Sequence, residues 1–172
     1  TLITVDNDRL LPAMKENAPL DRAFELADQV LRQGVQGITE IVAEPGLINV
    51  DFADVKSVML DGGPAFMALG EGRGRRAAVD AARSALDNPL FDAPLEGASG
   101  LVLNVRGGRD LTLLQVDEIA GMVREASRSD ADVVLGVVQD RKMSRRVSVT
   151  VVATGLRGPA DGRDGTSATP ET

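Results

Sequence analysis

Between positions 20 and 42 apolar residues recur every three or four places, at Leu20, Phe24, Ala27, Leu31, Val35, Ile38 and Val42. At 3.6 residues per turn these fall on one stripe, so the spacing predicts a long amphipathic helix from Leu20 to Val42. Gly34 and Gly37 lie inside it, each costing up to about 1 kcal/mol relative to Ala, which requires a close backbone approach or a bend. Upstream, Thr1 to Val5 predicts a strand and Asn7-Asp8-Arg9-Leu10-Leu11 a turn. Downstream, Pro45-Gly46 stops the helix, Leu47-Ile48-Asn49-Val50 predicts a loop that is apolar where loops are usually polar, and Asp51 to Met59 predicts a short second helix.

Gly62 to Leu69 then predicts a strand, Gly70-Glu71-Gly72-Arg73-Gly74 a flexible turn, and Arg75 to Asp87 a third helix burying Ala78, Val79, Ala82 and Leu86. Ala98 to Arg106 reads as a strand and Gly107-Gly108 as a turn. Leu113 to Ala126 reads as a fourth helix carrying Leu114, Val116, Ile119, Met122 and Val123 inward. Val133 to Val138 and Arg146 to Ala153 predict two strands joined by the polar connector Gln139 to Ser144, which suits an antiparallel hairpin. Alternating strands and helices predict an α/β (α+β) sandwich: a long helix, then a mixed sheet with helices packed on one side. Beyond Gly155 almost no residue is apolar, so the tail is expected to be disordered.

Composition narrows the function classes. With 172 residues and 43% hydrophobic content the chain can bury one sizeable core, and no hydrophobic run is long enough to cross a bilayer. Lys and Arg number 19 against 26 Asp and Glu, a net charge of -7, which argues against nucleic acid and anionic membrane surfaces as partners. There is no Cys and no His. That removes thiol nucleophiles, the commonest general base and most zinc or copper sites, so chemistry must run on carboxylates, hydroxyls, Arg or Lys. The lack of Cys fits a reducing cytosol. Thr1 opens directly into a strand without a signal-peptide pattern, from which a fragment of a longer protein is expected.

The candidate chemistry lies in Asn49-Val50-Asp51-Phe52-Ala53-Asp54. One account is structural: Asp51 is a natural N-cap, and Asp54 in the first turn favours the positive end of the helix dipole. The other is functional: Asn49, Asp51 and Asp54 project from one loop and orient a water molecule or bind a cation. Spacing alone leaves both open.

Gly34-Val35-Gln36-Gly37-Ile38-Thr39-Glu40 and the run from Pro45 to Met59 together resemble the synergy loop of FtsZ, the tubulin-like GTPase family of bacterial cell division, with its N-x-D-x-x-D pattern. The likeness extends from Leu2 to Gly155. It implies four segments: 1–17, the last strand and turn of a nucleotide-binding domain; 18–43, a central core helix; 44–155, a C-terminal GTPase-activating domain with a mixed four-stranded sheet; and 156–172, a disordered tail. In that family, subunits stack head to tail and one subunit's loop completes its neighbour's GTP site. Carried over, Asp51 and Asp54 would polarise and orient the attacking water and Asn49 would help place it. Phe24 would stack on guanine, Asp28 would accept its N1 and N2 hydrogens, and Asn7 would make a further base contact; read without the resemblance, Phe24 falls on the apolar stripe as core.

The resemblance further implies GTP or GDP and Mg2+ as cofactors, and a cytoplasmic location at the mid-cell division site. Its partners would be other FtsZ subunits and cell-division proteins, without direct membrane insertion. The family's G-G-G-T-G-x-G phosphate loop is nowhere in this sequence, and Gly70-Glu71-Gly72-Arg73-Gly74 carries charge among its glycines and is no substitute. The nucleotide and its metal would therefore be held mainly by a missing N-terminal domain or a neighbouring subunit, and the isolated chain is expected to be inactive. The family's acidic and hydrophobic C-terminal partner peptide is also missing, which puts tethering to adaptors in doubt. Two alternatives remain: an assembly module without chemistry of its own, or a small α/β enzyme using the Asp51 and Asp54 pair.

Overall fold

In a computed structural model, residues 1–3, 19–43, 46–60, 62–88, 95–127 and 130–156 are described. The first-strand residues beyond Ile3, the turn holding Asn7, and residues 157–172 of the tail expected to be disordered over 156–172 lie outside them, while Leu156 is described and buried in the core. The elements are β1 (Leu2–Ile3), α1 (Leu20–Ala43), α2 (Phe52–Met59), β2 (Pro64–Arg73), α3 (Ala77–Leu86), β3 (Gly100–Gly107), α4 (Leu113–Glu125), β4 (Asp132–Gln139) and β5 (Arg146–Thr154).

Among the described residues the strands form one mixed sheet in the order β1-β2-β5-β3-β4. It is the expected four-stranded sheet with the two residues of β1 added in parallel along β2. β5 runs antiparallel to both β2 and β3, while β3 and β4 are parallel, connected through α4. The expected β4–β5 hairpin is therefore absent. Burial explains why: from Val149 to Thr154 every residue of β5 is buried, so this strand belongs in the middle of the sheet, whereas Asp132 to Leu135 of β4 are partly exposed and suit an edge.

Helices cover both faces of the sheet instead of one. Leu101, Leu103 and Val105 of β3 and Val147, Val149 and Val151 of β5 meet α3 and α4. The alternate residues Val102 and Val152 join Ala65 and Met67 against Val30, Ile41 and Val55 of α1 and α2. The period-two alternation of β3 and β5 thus feeds two cores.

Three further expectations change. β2 continues through Gly70-Glu71-Gly72 to Arg73, because α3 lies so close that a Cβ on Gly70 or Gly72 would overlap the carbonyl oxygens of Ala81 or Ala77. These glycines are packing residues and the turn begins at Gly74. Leu114 is exposed on α4, whose buried face is Val116, Ile119, Ala120 and Val123. The apolar stripe of α1 largely faces away from the sheet: Phe24, Leu31, Val35 and Val42 are exposed, while Val30, Gly34, Gly37, Glu40 and Ile41 face inward. Gly34 and Gly37 answer to close packing rather than a bend, since Met67 and Thr150 press against them.

Candidate functional site

The loop after α1 is held by its backbone. The Leu47 amide donates to the carbonyl of Val137 at 2.9 Å, and the Val137 amide donates back to Ile48 at 3.2 Å, fastening the loop to the far end of β4. The Gly46 amide donates to Asn49 Oδ1 at 2.7 Å. That bond closes a local turn and uses only the oxygen of the exposed Asn49 side-chain amide. Asp51 then starts α2: its Oδ1 accepts from the Ala53 amide at 3.1 Å, and its carbonyl accepts from Asp54 and Val55. The capping account of Asp51 is therefore correct, and it occupies only one of the two carboxylate oxygens.

Asn49, Asp51 and Asp54 are all exposed within six positions of chain. Asn49 and Asp54 line an open hollow of about 420 Å³ with Ser57 of α2 and Asp132 of β4. Ser57 and Asp132 were not legible as partners in the sequence, because Asp132 arrives from a strand 78 positions beyond Asp54 through the sheet. Around these polar groups stand exposed apolar side chains: Leu47 at 60% and Phe52 at 61%, with Ile48 at 37%. Among the described residues these side chains are not part of either buried core. Phe52 is an addition to the sequence reading; its signal is an aromatic residue at the first position of a helix whose inward residue is Val55.

Phe24 and Asp28 are one turn apart near the start of α1, both exposed, Phe24 at 64%. The core reading of Phe24 fails on that exposure. They do not approach the loop: at 1.5 Å per residue, Phe24 is about 28 Å along the helix from its C-terminal end. Asn7 lies outside the described residues.

Comparison with known proteins agrees with this architecture. Residues 63–157 match the model of the FtsZ family, C-terminal domain. An empty FtsZ dimer from M. jannaschii is 37% identical with a TM-score of 0.85, covering 90% of this chain and 45% of that one. The W319Y mutant of FtsZ from M. jannaschii is 38% identical with a TM-score of 0.84, covering 90% of this chain and 46% of that one. A GTPγS-form protofilament of TubZ from Bacillus thuringiensis serovar israelensis shares the fold, with a TM-score of 0.69 at 16% identity over 90% of this chain and 41% of that one. This chain spans about half the length of the solved relatives it matches.

Proposed function

The chain belongs to the FtsZ family, a tubulin-like family of cell-division filament proteins, and we propose that it is the activating half of an intersubunit GTPase site. The observation that carries the proposal is the exposed loop and helix start in which Asn49, Asp51 and Asp54 alternate along the chain with the unburied Leu47, Ile48 and Phe52. An apolar rim around acidic groups suits insertion into a neighbouring subunit, where water is excluded and the carboxylates act on the neighbour's nucleotide.

The distance along α1 supports two subunits per site. Phe24 and Asp28 would serve the guanine end of the nucleotide held by their own subunit, with Asn7 beside them. Asp51 and Asp54 at the other end would serve the γ-phosphate of the next nucleotide in a head-to-tail filament. The Asp51 oxygen not used in capping and the Asp54 carboxylate accept hydrogen bonds from a water and aim its lone pair in line, while Asn49 donates to it. Positioning of this kind supplies most of the acceleration in phosphoryl transfer.

No segment of this sequence carries a Gly-rich phosphate loop, so GTP and Mg2+ would be held mainly by the part of the solved relatives that the matched region does not span. When bound, the metal would neutralise charge developing on the phosphates. The outward stripe of α1, with Leu31, Val35 and Val42 exposed, would pack against that same half. Division of the cell at its middle, contacts with other division proteins and a cytoplasmic location complete the reading.

The test is GTP turnover by full-length protein containing this chain, with Asp54→Ala mixed into filaments of the unaltered protein. Asp54 is exposed, so folding is expected to survive, while turnover falls by roughly two to four orders of magnitude as the mutant fraction approaches one. Undiminished turnover in fully mutant filaments would sink the catalytic role and leave an assembly surface without chemistry.

A further inference from the structure

Two elements fix where the acidic loop sits: the end of α1, which leads into it, and the end of β4, to which Leu47 and Ile48 are bonded through Val137. One side chain joins these two anchors. Arg106, near the end of β3, reaches Glu40 of α1 with one guanidinium nitrogen and Asp140, directly after β4, with the other, the second contact at 2.6 Å. Glu40 stands three residues before the last residue of α1, and Asp140 three residues after Val137.

We propose that Arg106 is a positioning residue for the intersubunit reaction: it clamps the two ends from which the Asn49–Asp54 loop hangs, and so sets where Asp51 and Asp54 stand. This rests on the catalytic reading of that loop given above.

Each part of the clamp is itself anchored. Glu40 is 5% exposed, and Gln36, one turn earlier, donates to the same Oε1 at 2.5 Å. Asp140 donates its amide to Gly107 at 2.8 Å and accepts from the Lys142 amide at 2.9 Å, so its carboxylate is held to the end of β3. A planar guanidinium with both arms occupied permits little rotation, which a point-charge ammonium would not achieve. Beside the clamp, packing is loose. Arg106, Asn104 and Thr150 line an open groove of about 580 Å³ between α1 and the sheet, and among the described residues Asn104 Oδ1 and Arg106 Nε have no hydrogen-bond partner. The ion pairs therefore add, at the C-terminal end of α1, to the packing of Gly34, Gly37 and Ile41 in opposing movement of α1 against β3 and β4.

The experiment uses full-length protein carrying this chain, with Arg106→Met, Glu40→Gln, the double variant and Arg106→Lys. Two quantities are read: amide exchange at Leu47, with Val123 in α4 as internal control, and GTP turnover per assembled subunit alongside GTP affinity. The clamp predicts about tenfold faster exchange at Leu47 with Val123 unchanged, and turnover reduced about tenfold with affinity preserved. The double variant, which removes the buried Glu40 charge that Arg106→Met alone would strand and so guards against simple misfolding, should lose no more than Arg106→Met alone. Arg106→Lys should recover only part, since it cannot hold both carboxylates in one plane.

Unchanged exchange at Leu47, additive losses, or equal acceleration at Val123 would overturn the clamp. So would a loosened loop with full turnover in a protein that Asp54→Ala inactivates. If Leu47 loosens on Arg106→Met while Asp54→Ala retains full turnover, the clamp stands and the catalytic reading of the loop is what fails.

Discussion

Leu101, Leu103 and Val105 of β3 turn toward α3 and α4 and are fully buried, and the residues they meet include Ala77, Ala78, Ala81, Ala82 and Ala85. The intervening positions Val102, Asn104 and Arg106 turn toward α1 and become steadily more polar along the strand, as Val152, Thr150 and Ser148 do on β5. On the first face a helix of small side chains approaches so closely that the strand beneath must carry Gly70 and Gly72. On the second, Val30, Ile41 and Val55 meet Met67, Val102 and Val152 in a smaller core, an open groove of about 580 Å³ remains beside it, and hydrogen bonds and ion pairs add to the holding. One face is built for cohesion. The other couples α1, and through it the acidic loop, to the sheet by a few directional contacts that can be changed without dismantling the core.

The sharpest way to break this contrast is to cut a side chain of the cohesive face. Leu103→Ala is expected to destabilise the chain by about 2–5 kcal/mol, because the wall of Val and Ala around it cannot collapse into the space. Urea unfolding measures it; a loss under about 1 kcal/mol would mean that the first face is no more cohesive than the second. Asn104→Ala, one position on and equally buried, removes a single hydrogen bond to the Gly37 carbonyl at 3.1 Å and with it an unpartnered oxygen. Its cost is expected at about 0.5–1.5 kcal/mol by the same measurement.

The smallest effect concerns Asp140. The Lys142 amide and then the Arg106 guanidinium lower its pKa from the ordinary value of 3.8, with burial opposing them. A lowered folded value means that its stabilisation is complete above the unfolded pKa and is lost as pH falls through the folded one. Asp140→Asn should therefore lower stability at neutral pH, with the two proteins converging in strong acid. Parallel curves down to acid unfolding would show that this ion pair adds nothing to the polar face.

Much of the local structure was legible because its causes are local. The 3.6-residue period from Leu20 to Val42 marked a helix that runs Leu20–Ala43, and an aspartate ahead of Phe52 marked the cap that Asp51 forms. The candidate trio was visible as a spacing, since Asn49, Asp51 and Asp54 lie within six positions of one loop and helix start; of the three, Asn49 and Asp54 share the hollow beside β4. By itself the sequence indicated most of the helices and strands, that chemistry must run on carboxylates, hydroxyls, Arg or Lys, and the family to which the chain belongs.

The tertiary structure alone decided which way those segments face. The outward stripe of α1 has the same periodicity as a core stripe, and only the position of the sheet reveals that Phe24, Leu31 and Val35 point elsewhere. β5 looked like the second arm of a hairpin, but its uninterrupted burial demanded neighbours on both edges, and β2 and β3 supplied them. Arg106, Glu40 and Asp140 lie 66 and 34 positions apart, so no window of sequence could pair them. Periodicity and capping are settled within a turn or a pleat; burial direction, strand order and charge partners depend on surfaces that meet only after the chain has folded.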